Sequence, residues 1–243
     1  MEEINKQHVQ LPHRKDNDTI TPREQLIYVA IKRYMNKDTM QAYPSLTEIS
    51  KQTGASIPTI RDAIQVLKDL KYIKVTKNGR KNCYEFNKAK EFEPFSYEFL
   101  DNKELTFLEK TYIVSSQEYM QGKETGIGTI SYSNRKLSEL INMPISTISK
   151  CNHSLQAKEF LTIVSSKKRD LETGTQVEIK EFKLNRFGQA IVALLLSHEE
   201  RINENAENIK SLEATVAQQA KTIELLQREI HTLKSEKTTV ELT

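Results

Sequence analysis

Tryptophan is absent from this 243-residue chain, and cysteine occurs only twice, at Cys83 and Cys151. Two lone thiols make no disulfide framework and suit a reducing compartment. Glycine and proline are scarce, at seven and six residues, and neither appears in the last 55 positions, after Gly188. A stretch without breakers can form one uninterrupted helix. Long apolar runs are missing too: Ile191–Leu196 falls far short of the roughly 20 residues that a membrane helix needs. The opening Met-Glu-Glu-Ile-Asn-Lys lacks a charged-then-apolar leader pattern. The expectation is a cytoplasmic protein with no membrane part. No Gly-rich phosphate loop, nucleophile–base pairing or paired-carboxylate motif occurs, so no enzyme activity, cofactor or small-molecule substrate is expected. Cys151 and His153 stand two apart, on different faces of a helix, and no second pair of ligands is suitably spaced. No metal site is expected either.

What is present concentrates between Ser45 and Asn87. Leu46 and Ile49, with the stem of Lys51 or Thr53, can line one face of a short helix that ends at Gly54-Ala55. Ser56 is a good N-cap for a second helix, because its hydroxyl can accept from free N–H groups of the first turn. Pro58 lies in that first turn, where a missing N–H does no harm. Ile57, Ile60, Ile64, Leu67 and Leu70 recur at helical spacing and form a buried stripe. Thr59, Arg61, Asp62, Gln65 and Lys68 are left on the outer face, and such side chains reach base edges and phosphates. From Ile73 the pattern alternates. Val75, Tyr84 and Phe86 face in, Lys74 and Thr76 face out, and Lys77-Asn78-Gly79-Arg80-Lys81 is the turn. Asn-Gly between alternating runs is a strong hairpin signal. From Pro44 to Lys90 ten Lys or Arg stand against four Asp or Glu, a local +6 in a chain of net charge +3. That is the electrostatic footprint of a phosphate-binding surface.

In this order of helix, Gly turn, Ser-capped helix ending Asp69-Leu70-Lys71-Tyr72-Ile73, and basic hairpin, residues 20–88 resemble the winged helix-turn-helix family. The resemblance implies that the second helix enters the major groove of double-stranded DNA. The hairpin, or wing, would lie along phosphates or in the minor groove. Ser56, Thr59, Arg61, Gln65 and Lys68 would then face DNA from the helix, and Lys77, Arg80 and Lys81 from the wing. Some winged helices serve protein contact instead, so an interaction scaffold is the alternative of a different class.

The chain then repeats itself. Ile20–Met35 aligns without gaps on Leu105–Met120, with Thr, Glu, Val, Tyr and Met coinciding. After three extra residues, Ser45 meets Ser133, Ser50 meets Ser138, Thr59 meets Thr147, Ile60 meets Ile148 and Leu67 meets Leu155. A second winged helix over 105–187 is expected, with Ser146, Thr147, Ser149, Lys150 and His153 outward on its reading helix. Its wing carries Lys167, Lys168 and Arg169, followed by Asp170 and Glu172, and Asn152 stands where the first copy has Ile64. Either this copy reads DNA through small polar groups or it has become a packing module.

The remaining segments frame these two. Residues 1–18 are polar and read as a disordered arm. Thr21-Pro22-Arg23-Glu24 starts the first domain, 19–88, as a capping box with Pro at the first helical position. Leu26, Ile27, Ala30, Ile31 and Tyr34 form that helix's buried face. Residues 89–104 hold too many aromatics for a free linker and read as an extended strap packed on its neighbours. Residues 188–236 turn heptad. Leu195, Ile202, Ile209, Val216, Ile223 and Ile230 occupy a positions, and Ile191, His198, Asn205, Leu212, Gln219, Leu226 and Leu233 occupy d. β-Branched residues at a with Leu at d favour a parallel two-stranded coiled coil. Ile202, Ile209, Leu212, Val216, Ile223, Leu226, Ile230 and Leu233 would hold a homodimer, and 237–243 would fray. The fold class is mainly α with small β wings, two winged helix-turn-helix domains and a long C-terminal coiled-coil helix. The functions that fit are a dimeric transcription regulator, a plasmid or phage replication initiator and a DNA-segregation adaptor.

Overall fold

Thr21, Pro22 and Glu24 start a helix for the reasons their chemistry gives: the Thr21 amide donates to Glu24 Oε2 at 2.9 Å, closing a capping box, and Pro22 occupies the first turn. In the computed structural model this helix, α1 (Pro22–Lys32), follows a strand, β1 (His8–Pro12). The structure describes residues 8–13, 20–78, 81–87, 92–169, 176–187 and 189–240. They fall into two units, Met1–Leu195 and Leu196–Thr243.

After α1 come β2 (Gln41–Ala42), α2 (Leu46–Thr53), α3 (Ile57–Asp69), β3 (Ile73–Asn78) and β4 (Lys81–Phe86). The strands form an antiparallel sheet in the order β2-β4-β3. β5 (Phe92–Ser96) and α4 (Tyr97–Asp101) lead on, and then the same order of elements recurs. It comprises α5 (Phe107–Ser116), β6 (Ile127–Ile130), α6 (Asn134–Ile141), α7 (Ile145–Ala157), β7 (Leu161–Arg169) and β8 (Gln176–Lys183). Its sheet order is β6-β8-β7. A 3-10 turn, Leu184–Phe187, precedes the last helix, α8 (Gln189–Val240).

The two sets agree in turn geometry as well as order. Between α2 and α3 Gly54 adopts the left-handed conformation (φ 79°), and between α6 and α7 Asn142 does so (φ 52°); Gly and Asn tolerate it best. Ser50 Oγ donates to the Ala55 carbonyl and Ser138 Oγ to the Met143 carbonyl, each at 2.7 Å. Lys71 and Glu159, after the third helix of each set, are both left-handed, at φ 59° and 60°.

α1 and α5 pack along each other at the centre of the first unit. A helix with no polar face must be covered all round, and these are: Leu26 through Ile31 and Tyr112 through Ser116 are buried almost without exception to 1% exposure or less. Ser115 Oγ donates to Gln25 Oε1 at 2.5 Å across the contact. Tyr34 is a correction to the expected buried face. It is 41% exposed, because α1 ends at Lys32 and the chain tightens into turns at Tyr34 and Met35.

The described part of the N-terminal arm is also corrected. β1 pairs antiparallel with β5 of the strap, Val9 opposite Phe95 and Leu11 opposite Glu93. Val9 and Leu11 bury their side chains at 3% and 4% exposure, so the alternation His-Val-Gln-Leu-Pro is a half-buried strand rather than a disordered tail. Residues 1–7 and 14–19 of the arm, and 88–91 at the start of the strap, lie outside the described residues. The β1–β5 ribbon and the two three-stranded sheets add more strand than wings alone would give. Phe95, Phe99 and Leu100 of the strap are fully buried. Arg33 clamps its end, donating to both carboxylate oxygens of Asp101 at 2.5 and 2.7 Å and stacking on Tyr97.

Among the described residues three lysines lie inside this unit: Lys180, whose ammonium donates to the Tyr132 carbonyl at 3.0 Å, and Lys110 and Lys32. The Lys110 ammonium donates to the Gln52 carbonyl at 2.8 Å and the Leu100 carbonyl at 2.7 Å. It thereby caps the last turns of α2 and α4, where the helix dipole favours a cation. Lys32 donates to Tyr28 Oη at 3.3 Å and lies over the rings of Tyr28 and Phe86. Burial lowers the ammonium pKa values of Lys110 and Lys32, each to about 8.

The second unit is the body of α8, 52 residues of helix in all, about 78 Å long at roughly 1.5 Å per residue. Its backbone is helical through Val240, so the tail expected to fray from 237 continues the helix; 241–243 lie outside the described residues. Among the described residues no helix is long and apolar enough to cross a membrane.

Lys32 allows a sharp test. Its pKa falls from 10.5 unfolded to about 8 folded, so the penalty for burying the charge is complete below pH 8 and is relieved as pH rises to 10.5. Lys32→Met is expected to raise stability by about 1–2 kcal/mol at pH 7, with the gain shrinking to nothing near pH 10.5. Urea unfolding of both proteins across that pH range measures it.

Candidate nucleic-acid interface

The Ser56 hydroxyl accepts from the Thr59 amide at 3.3 Å and lies 2.7 Å from Thr59 Oγ1, which fixes the first turn of α3. Ile60, Ala63, Ile64 and Leu67 then anchor the inner face, all buried, while Ile57 and Leu70 are partly buried at its ends. That packing leaves Ser56, Arg61, Gln65 and Lys68 exposed and Thr59 half-buried. Ser56 and Thr59 therefore act first as a cap, with their hydroxyls turned to each other.

Arg61 and Lys68 make no ion pair among the described residues, and neither does Lys77, exposed on β3. Lys74 is different, pairing with Glu85 across the hairpin at 3.2 Å. Register narrows the expected five-residue turn. Lys77 lies opposite Asn82 and Asn78 opposite Lys81, so only Gly79 and Arg80 remain to connect the strands. Those two residues, Arg80 among the expected DNA contacts, lie outside the described residues, as does the side chain of Lys81. The exposed Lys71, held left-handed after α3, adds a cation at the junction of α3 and the β3–β4 hairpin.

Gln65 carries a polarity that spacing alone does not reveal. Its Nε2 donates to Asp69 Oδ1 at 2.8 Å, one helical turn on. A carboxylate only accepts, so one amide N–H is engaged there, and Oε1 and the second N–H remain for other partners.

The second set shares this scaffold with different chemistry. α7 begins after Pro144 with no side-chain cap. Ser146, Lys150 and His153 are exposed, and Thr147 and Ser149 half-buried. His153 Nδ1 lies 2.7 Å from the Ser149 carbonyl, so Nδ1 carries the proton and Nε2 faces out. α6, which packs on α7, brings the exposed Arg135, a cation the sequence reading did not weigh. Lys167, Lys168 and Arg169 lie on the arm of the longer hairpin, Lys167 and Lys168 within an irregularity in its register between Ser165 and Arg169. Their side chains, and the turn 170–175, lie outside the described residues.

Asn152, where the first set has Ile64, is 2% exposed and accepts from Tyr112 Oη at 2.8 Å. The polar replacement is matched by a polar partner on α5. Cys151 beside it is also buried, its thiol pushed up to about 12 by burial. Among the described residues no cluster of His, Cys, Asp or Glu is suited to a metal ion.

Residues 18–73 match a family described as a helix-turn-helix domain. The match runs from just before α1 to the first residue of β3 and includes all of α2 and α3. The hairpin beyond Ile73 and the whole second set lie outside it. Comparison with curated proteins gives no match.

The Tyr112–Asn152 pair tests how the second set is held. Tyr112→Phe should cost about 1–3 kcal/mol by leaving a buried amide oxygen short of a donor, whereas Tyr112→Phe with Asn152→Leu should cost less than the single change. Denaturant unfolding of the three variants would show the order.

Proposed function

We propose that this protein is a sequence-specific double-stranded-DNA-binding protein with two winged helix-turn-helix units per chain. α8 makes it a homodimer, and it acts as a cytoplasmic transcription regulator. The observation that carries the reading is the exposed cationic face of α3 and the strand beside it. Arg61, Lys68 and Lys77 face solvent with no carboxylate partner among the described residues, and two of the three fall inside the helix-turn-helix match. Cations left unpaired beside a capped, exposed helix suit phosphates and base edges.

In this reading Thr59, Arg61 and Gln65 address bases. Lys68, Lys77, Arg80 and Lys81 address phosphates. The second winged helix adds a weaker contact through Ser146, Thr147, Ser149, Lys150 and His153 and its basic wing. Pairing of α8 doubles the units, matching a repeated or inverted site by symmetry. Catalysis, cofactor and small-molecule substrate have no part in it.

A replication initiator is the second reading, favoured by the recurrence of the whole six-element set in one chain, which suits arrays of repeats. Selecting bound fragments from genomic DNA separates the two: single inverted sites over promoters support a regulator, clustered direct repeats an initiator. Failure to retain any duplex at low salt would leave a protein-interaction scaffold.

On a selected site, Arg61→Ala is expected to lose about 1–3 kcal/mol of discrimination at one base position. Lys81→Ala should weaken binding to all sequences alike and reduce the salt slope by about one. Equal losses on specific and random duplexes for both variants would refute this division of roles.

A further inference from the structure

Along α8 six apolar side chains of the heptad seam stand exposed among the described residues. Ile202, Leu212 and Val216 are 65%, 64% and 62% exposed, and Ile209, Ile223 and Leu226 are each more than half exposed. The seam is divided by chemistry. Every a position from Leu195 to Ile230 is aliphatic, and all but Leu195 are β-branched; the polar residues of the seam, His198, Asn205 and Gln219, all stand at d.

We propose that α8 pairs with α8 of a second copy in parallel and in register, each polar d position facing its own counterpart. The proposal rests on the self-association included in the functional reading and goes beyond it in orientation and register.

In a parallel pair in register, a layers meet a layers and d layers meet d layers. Asn205 then meets Asn205 of the other copy and Gln219 meets Gln219. Amides carry both donors and acceptors, so each layer can satisfy itself. Reversing the partner sets d positions against a positions. Every polar d group would then face an aliphatic residue that offers it no hydrogen bond, the costly state of a buried polar group. Slipping the parallel pair by one heptad does similar harm: four of the six remaining d layers become mixed, for example Asn205 against Leu212 and Gln219 against Leu226. A slip of two heptads leaves three mixed layers of five. Only the unslipped parallel arrangement has none.

Flanking charge does not compete with this signal. At e and g from Ala206 to Gln227 the one charged residue is Glu213, so ion pairs cannot set the orientation there. Farther on, Glu229 at g precedes Lys234 at the following e by five positions, the spacing of an interchain pair in a parallel coil. The consequence is functional. Parallel pairing places both Leu195–Leu196 junctions at one end of the rod, so the DNA-binding parts of the two chains serve one stretch of duplex instead of leaving opposite ends.

Cysteine cross-linking of the full-length protein tests this, since Cys83 and Cys151 are buried at 4% and 1% exposure. Asn205→Cys and Gln219→Cys should each convert to a covalent dimer on mild oxidation, while Ser211→Cys, at an outward c position, should not. Dyes placed through Ser235→Cys on separate chains should show strong energy transfer. In the double variant Asn205→Leu with Gln219→Leu, that transfer should fall as other orientations and registers become populated. A protein that sediments as an oligomer, yet neither cross-links at 205 or 219 nor transfers energy at 235, would overturn the orientation and leave self-association standing. Unchanged transfer in the double variant would overturn the role of the polar layers. A monomer by sedimentation would remove self-association, and the proposal with it.

Discussion

Two helices with almost no exposed surface, α1 and α5, set the constraint on which the first unit depends. A helix exposed on one side can drift on its support; one covered all round cannot, because any shift opens voids on several sides at once. α1 carries α2 and α3, α5 carries α7, and α1 and α5 meet each other. The outer faces of α3 and α7 are therefore not independent appendages. Lys110 reinforces the arrangement by tying the ends of α2 and α4 to α5 through one ammonium, and the β1–β5 ribbon adds a further cover against α1.

Comparison of the two six-element sets separates what the architecture requires from what the surface is free to vary. The left-handed turn before the third helix is required, and Gly54 and Asn142 meet it with different side chains. The same holds for Lys71 and Glu159 at its far end. The serine-to-carbonyl bond in that turn is kept in both. The N-cap is not kept: Ser56 caps α3, whereas Pro144 precedes α7 without a side-chain cap. Outward positions vary most. Arg61 gives way to Ser149, Asp62 to Lys150 and Gln65 to His153, so the same frame carries different outward chemistry.

Legibility in the sequence followed the range of the interaction. The α3 stripe, its Ser56 cap and the existence of a hairpin after Ile73 are local, and periodicity with turn chemistry was enough to place them, though the turn was expected to span Lys77–Lys81 and the strands pair through Asn78 and Lys81. Ala63, buried but too small to mark a stripe, escaped. β1 escaped because its partner Phe95 lies 86 positions away and five residues of alternation look like any polar segment. Lys32 and Lys110 escaped for another reason: charge is ordinarily read as surface, and only the fold shows carbonyls and aromatic faces converging on these two amines. At the candidate site, composition located the cationic face. The hydrogen bonds of Gln65 to Asp69 and of His153 to the Ser149 carbonyl depend on rotamers, which spacing does not fix.

Charge distribution links these parts. The chain carries +3 overall, and the segment 44–90 alone carries +6, which leaves −3 for everything else. A protein basic throughout would hold any polyanion by any face, since phosphate attraction carries no sequence information. Confining the excess to one helix–hairpin module, on a chain otherwise slightly acidic, restricts that attraction to the surface where Arg61 and Gln65 stand. The near-neutral e and g positions of α8 fit the same logic. A basic rod would compete for phosphate along its whole length, whereas pairing of the kind proposed above would draw its specificity from polar d layers without adding charge.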